Sequence, residues 1–245
     1  MAAGRLMNAR TIVLAVLVAL PLTAAAKDPV YTTGPRAWAL ATTAMLTYYN
    51  REAIDVLAPD VKTDTSVAMT RRVLHDWWGI DNRQDLIRAL EFLERGGHRV
   101  DFQRMGQSLA SMNEATFKAT LAAERSHPRR VRVMKLTREH FRACRGNSLV
   151  AWDYGRYIML CRWGYMLGFL TEDEAWRRIM PAARTIQGSF RSWIQFGDDY
   201  LVGREFWSSD EMDRNGKVYR DIGKWLRNAP RSPWRRLPWR TDLGS

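Results

Sequence analysis

Apolar positions in this chain recur at spacings of three and four, and no segment of useful length alternates apolar and polar residues as a strand does. Gly34-Pro35 opens a stretch reaching about Asn50, with Trp38, Ala41, Met45 and Tyr48 on one face and the proline suited to a first helical turn. Ser66 precedes a second stretch ending near Trp78. Asp81-Asn82-Arg83-Gln84 resembles a capping-box start, Leu86, Leu90 and Leu93 follow at helical spacing, and Gly96-Gly97 closes that helix. A fourth helix is predicted from about Asn113 to Arg125, ended by Pro128.

In the second half, a short helix starts at Thr137 and a long one runs from about Ser148 to Gly168. Thr171-Glu172-Asp173-Glu174 is a capping box whose three carboxylates complement the helix dipole. The helix it opens carries Trp176 and Ile179, and Pro181 inside the pattern is expected to kink or interrupt it. A further helix spans Gly188 to Trp207, Asp213-Arg214-Asn215-Gly216 marks a turn, and Trp225 and Leu226 lead into a Pro-Trp-Arg tail. No internal repeat or low-complexity linker interrupts this order. The pattern predicts an all-α fold, a single compact multi-helix domain with an extended C-terminal tail packed on it.

Glycines refine that picture. Gly155, Gly164 and Gly168 share one predicted helix, and Gly197 and Gly203 share another. Each costs about 1 kcal/mol against alanine in a helix interior. A tight crossing of the two helices, with Trp152, Trp163 and Trp193 around the contact, would offset that cost.

The first residues change the expected compartment. Arg5 and Arg10 precede an apolar run from Thr11 to Leu22, and Ala24-Ala25-Ala26 supplies small residues for cleavage. Residues 1–26 therefore read as a secretion signal, with a mature helical domain over residues 27–245. The run is shorter than the roughly 20 apolar residues of a membrane span. The expected location is exported, periplasmic in a Gram-negative host and secreted otherwise. A formal charge of +12 would suggest nucleic acid in the cytosol. In an exported chain no nucleic acid is expected, and anionic lipid, cell-wall polymer or an acidic protein partner in the envelope takes its place beside a solvated basic surface. The two cysteines, Cys144 and Cys161, are expected to stay unbridged, because helical geometry separates them by about 20 Å.

Trp152-Asp153-Tyr154-Gly155-Arg156, Gly168, Glu174-Ala175-Trp176, Ser192-Trp193 and Tyr200-Leu201-x-Gly203-Arg204-x-x-Trp207 form a distinctive series. Upstream lie Trp78-Gly79-Ile80 and Gly97-His98; downstream lie Ser232-Pro233-Trp234 and Leu237-Pro238-Trp239. The series, over about Trp78 to Arg240, resembles the uncharacterised bacterial family named domain of unknown function 1266. The resemblance implies a helical fold and no particular activity.

Asp153 and Arg156, three apart, project from one helix face. They read either as a polar binding site completed by Tyr200 and Arg204, with Trp152 and Trp193, or as a buried ion pair that fixes helix register. His140 and Cys144 could present two ligands to a metal, but no further ligand pair has suitable spacing, so neither metal nor cofactor is assigned. His75-Asp76 and Gly97-His98 do not establish a base and its orienter, and the latter is expected in a helix-ending turn. Asp198 and Asp199 point about 100° apart on a helix and make no dyad. Residues 211–216 suit a surface turn better than a calcium loop. The tail carries Arg227, Arg231, Arg235, Arg236 and Arg240 among Trp234 and Trp239, and is expected to pack on its own domain with its arginines in water.

No catalytic residue is assigned. The chain reads as an exported, non-enzymatic interaction or binding domain with a protein partner in the envelope. The alternative is a hydrolase-like envelope enzyme with an acid/base site near Asp153 and Arg156, in which Asp153, His98 or Glu174 acts as acid or base.

Overall fold

The structure, a computed structural model, describes residues 29–143 and 149–244. The expectations for a secretion signal, for Cys144 and Cys161 and for a His140–Cys144 ligand pair involve residues outside that range. Among the described residues the fold is all-α: α1 Gly34–Ala41, α2 Ala44–Asn50, α3 Asp64–Trp78, α4 Arg83–Arg95, α5 Arg99–Ala110, α6 Glu114–Ala123, α7 Pro128–Ala143, α8 Val150–Met166, α9 Glu172–Ser189, α10 Trp193–Trp207, α11 Ser209–Asn228 and α12 Pro233–Arg236.

α8 is the axis of the fold. Every one of its residues except Tyr154 and Tyr165 is buried, as an apolar helix with few polar positions requires. α4, α9 and α10 pack around it, α5 pairs with α7, and α11 lies against α10 and α2. Leu86, Leu90 and Leu93 of α4 are fully enclosed, and Asn82 caps that helix by accepting from the backbone N–H groups of Gln84 and Asp85. The Thr171–Glu174 capping box is present on α9, with both of its reciprocal hydrogen bonds. One cluster of buried side chains extends from Ala37 to Leu243, and a small satellite of Leu109, Phe117 and Met134 lies apart from it.

The tail packs on the domain through its tryptophans. Trp234 Nε1 donates to the Ala41 carbonyl at 2.9 Å and Trp239 Nε1 to the Phe190 carbonyl at 3.1 Å. Gln187 holds the same segment from α9, donating to the Trp239 and Thr241 carbonyls.

Several boundaries differ from the sequence reading. The stretch from Pro35 to Asn50 is two helices, because the Thr42 and Thr43 hydroxyls turn back onto the Ala39 and Leu40 carbonyls. Pro128 begins α7 rather than only ending α6, so the helix expected from Thr137 starts nine positions earlier in the sequence. Pro181 lies within α9 and does not interrupt it. Gly188 and Ser189 end α9, and α10 begins after Ser192, whose hydroxyl accepts from the Gln195 amide. Residues 213–216 are helical within α11, neither turn nor calcium loop; burial of Met212, Tyr219 and Leu226 at seven-residue spacing overrides their turn composition. α5 had no counterpart in the sequence reading.

The predicted close crossing exists between α8 and α10. A Cβ placed on Gly203 would fall 2.2 Å from Trp152 Cβ, and one on Gly155 would lie 3.4 Å from the Tyr200 ring. The other glycines serve other contacts. Gly164 accommodates Leu86 of α4, Gly197 accommodates the tail residue Trp234, and Gly168 follows α8 at a φ of 73°. Of the three tryptophans, only Trp152 sits at the crossing; Trp163 donates to Glu52, and Trp193 joins the tail.

Candidate functional site

Asp153 stands in the first turn of α8 and is fully buried. Its Oδ1 accepts from Arg156 Nη2 at 2.9 Å, one helical turn on. The remaining acceptor capacity is used across the fold. The backbone N–H of His98 reaches Oδ1 at 3.2 Å, and the backbone N–H and Nη1 of Arg99 reach Oδ2 at 3.1 and 3.2 Å. Those two amides open α5, which has no side-chain cap of its own. Gly97, at a φ of 53°, makes this approach feasible, since a Cβ there would fall 2.4 Å from Asp153 Oδ2. Asp153 thus caps one helix while belonging to another.

Asp199 repeats the arrangement one helix further on. Buried in α10, it accepts from the Leu149 and Ala151 backbone amides at 2.7 and 2.8 Å, at the start of α8. Leu149 holds a left-handed φ of 63° there, without a side-chain cap. Asp198 points elsewhere and pairs with Arg227, as the 100° angular separation requires.

Arg156 lies between aromatic faces, 4.1 Å from the Trp152 ring and 5.0 Å from Trp78. Its Nη2 also lies 2.8 Å from His98 Nδ1, which must accept because a guanidinium only donates. Burial pulls the Arg156 guanidinium down to about 10 despite Asp153 beside it. For Asp153, burial by itself would raise the carboxyl; hydrogen bonding to His98 and the charges of Arg156 and Arg99 reverse this and hold it below the ordinary aspartate range. The pair therefore favours the carboxylate while returning less to the arginine than burial takes, the usual balance of a buried ion pair. Asp199 moves the other way: burial lifts its carboxyl to about 7 against the two amide hydrogen bonds.

Of the candidate residues, the fold brings Trp152, Asp153 and Arg156 of α8 together with Tyr200 and Arg204 of α10. Trp152 meets Tyr200 edge-on at 5.2 Å, and the Arg204 guanidinium lies over Trp207 and Tyr219 as well as Trp152. The Tyr200 hydroxyl is buried and makes no hydrogen bond among the described residues; burial pushes its pKa to about 12. Trp193 does not join this group. It stacks on Trp234 at 5.5 Å, meets Trp38 and Trp239, and donates to the Leu237 carbonyl.

An acid or base must reach its substrate, and the Asp153 carboxylate has no exposed surface. Glu174 is held by the backbone N–H of Thr171 and by both terminal nitrogens of Arg83. His98, in the turn between α4 and α5, retains 24% of its side-chain surface and is the accessible rim of the cluster. Among the described residues no group of His, Cys, Asp and Glu could hold a metal ion, and no helix is long and apolar enough to cross a membrane.

A second buried polar centre had no sequence signal. Arg162 of α8 is wholly enclosed and uses all of its donors on neutral acceptors: the Thr43 and Thr47 hydroxyls and the carbonyls of Ala53, Val56 and Leu57. It fastens the segment between α2 and α3 to the core. Glu52 lies close by, with Oε1 accepting from Trp163 Nε1 at 3.0 Å. Burial lifts its carboxyl to about 7.

Residues 73–239 match the family described as Protein of unknown function (DUF1266). The chain belongs to the DUF1266 family. That match takes in α4 to α12 and both aspartate-capped helix ends. Similar proteins include Uncharacterized protein YbeU of Escherichia coli (strain K12), 27% identical over 139 residues, covering 56% of this chain and 58% of that protein. Uncharacterized protein YbeR of the same organism is 28% identical over 142 residues, covering 56% of this chain and 57% of that protein. This DUF1266 chain thus matches a little over half the length of those relatives. No solved structure matches it.

Proposed function

We propose that this protein is an exported, non-enzymatic interaction domain that holds an acidic protein partner in the cell envelope through its arginine-bearing tail. Export is supported by Arg5 and Arg10, the apolar run Thr11 to Leu22 and the alanines that follow. The interaction reading rests on one observation. The tail turns Trp234 inward while Arg231, Arg235, Arg236 and Arg240 stay exposed, and none of these four forms an ion pair among the described residues. Arg227, just before them, is by contrast neutralised by Asp198.

Four unpaired guanidiniums on one short segment favour an acidic surface by charge complementarity. A protein suits them better than lipid, because the tail's own tryptophans, Trp234 and Trp239, pack against the core instead of standing free to anchor at a bilayer interface. The Asp153–Arg156 group serves this reading as scaffold, because Asp153 accepts the amides that open α5.

The test compares the mature protein with a variant carrying Arg231, Arg235, Arg236 and Arg240 as Gln, each tagged and incubated with native envelope extract. The reading expects a stoichiometric acidic protein on the first and none on the second, with equal melting temperatures. Equal capture by both forms, or no protein on either, overturns it. Binding only to anionic vesicles would replace the protein partner with a lipid one.

A further inference from the structure

Where α9 ends and the tail passes back over it, the surface holds a groove of about 480 Å3. Three arginines line it, Arg184, Arg191 and Arg240, against a single carboxylate, Asp242, with Phe190 and Trp239 among its apolar walls. The walls are fastened to one another. Gln187 donates to the Trp239 and Thr241 carbonyls at 2.7 and 2.8 Å, and Trp239 Nε1 donates to the Phe190 carbonyl. The concavity is thus set by hydrogen bonds between α9, the residue that follows it and the tail.

Three guanidiniums brought to one concavity repel each other. Asp242 offsets one charge, and its Oδ1 already accepts the Gly244 amide at 2.9 Å. None of the three arginines forms an ion pair among the described residues. Among the described lining residues two positive charges are left uncompensated, in the planar, fork-like form that meets a phosphate through two hydrogen bonds at once. The volume lies in the range of small-molecule sites, and aromatic walls beside the charges suit a ring or chain attached to the anion.

We propose that this groove binds a small dianionic phosphate monoester bearing an apolar or ring portion. Arg184 and Arg191 hold the phosphate oxygens with Arg240, and the organic part lies along Phe190 and Trp239. The ester comes from a soluble metabolite or from a phosphorylated lipid headgroup, which share this chemistry. The site goes beyond the tail interaction and can fail or hold separately from it, because Arg184 and Arg191 are not among the arginines changed to test that reading.

The experiment is isothermal titration of the mature protein with phenyl phosphate and with inorganic phosphate, alongside Arg184→Gln and Arg191→Gln. Vesicles of phosphatidylcholine with and without phosphatidic acid form a third arm. Saturable one-to-one binding of phenyl phosphate, weakened about ten-fold or more in each variant at unchanged melting temperature, supports the site and a soluble ligand. Binding confined to phosphatidic acid vesicles, and lost in both variants, supports the site and assigns the phosphate to a lipid. Absence of saturable binding in every arm, or affinities that neither substitution changes, overturns it.

Discussion

Asp199 accepts the backbone N–H of Ala151 at 2.8 Å, so a side chain of α10 closes the first turn of α8. Asp153, inside that same first turn, accepts the amides of His98 and Arg99 and closes α5 in turn. Helix α10 thus fixes the start of α8, and α8 fixes the start of α5. Each carboxylate meets orphan N–H groups at the positive end of a helix dipole, which offsets part of the cost of burial, more than all of it at Asp153 with its arginines and less than all of it at Asp199.

This relay makes Asp153 a stability residue. Asp153→Asn turns one acceptor oxygen into a donor among existing donors and leaves Arg156 buried without its counter-charge. A loss of about 3–5 kcal/mol is expected, the range for breaking a buried pair from one side. Chemical denaturation measures the total, and hydrogen exchange should show the first amides of α5 losing protection before those of α4. An unchanged unfolding midpoint would contradict the capping role.

Stability should also rise on mild acidification. Glu52 and Asp199 have folded pKa values of about 7, raised from the ordinary carboxylate range. Between about pH 4 and 7 the folded state binds protons that the unfolded chain has released, so their contribution is present at low pH and fades as pH rises through 7. His75, raised by its hydrogen bond to Asp81, acts in the same sense. Asp153 has the opposite sign but loses its contribution only below its ordinary value of 3.8. Melting temperature should therefore climb from about pH 8 to about 5.5. Glu52→Gln, which mimics the protonated form, should raise it at pH 8 and flatten the profile. A profile that falls over that interval would refute this assignment.

The α8–α10 crossing gives a paired glycine test. Gly203→Ala drives a methyl into Trp152, with an expected loss of about 1–3 kcal/mol from overpacking. Gly188→Ala, in α9, meets nothing within 4 Å and should stabilise by about 0.5–1 kcal/mol through helix propensity. Thermal melts of the two variants should move in opposite directions.

Arg162 is the anchor of the segment joining α2 and α3. Lysine offers fewer donors and no planar fork, so Arg162→Lys should leave some of the Ala53, Val56 and Leu57 carbonyls unsatisfied. Limited proteolysis should then cut within residues 51–60 at a protease concentration that spares the unaltered protein. Equal resistance of the two would remove the anchoring role.

The legible helices are those whose signals are local. Asn82 and the Thr171–Glu174 box cap their own helices and were readable within a few residues. α5 was not, because its cap is Asp153, 55 positions from His98. The break between α1 and α2 depends on Thr43, whose hydroxyl also receives Arg162 from α8, a contact across 119 positions. The Asp153–Arg156 pair is readable from its spacing of three; His98 entered only as an alternative acid or base, and Arg99, whose amide and side chain both reach Asp153, carries no sequence signal for it. Trp193 misled for a related reason. It shares α10 with Tyr200 and Arg204, yet it stacks on Trp234 of the tail.

If the tail carries the proposed interaction and Asp153 only the scaffold, one side-by-side measurement separates the two roles. Capture of protein from native envelope extract is quantified in the cold for the unaltered protein, for Asp153→Asn and for the four-arginine tail variant, with the melting temperature of each preparation. The prediction is that Asp153→Asn melts lower yet still captures, while the tail variant melts normally and captures nothing. Normal melting with lost capture in Asp153→Asn would contradict the account and return the binding function to the Asp153–Arg156 group.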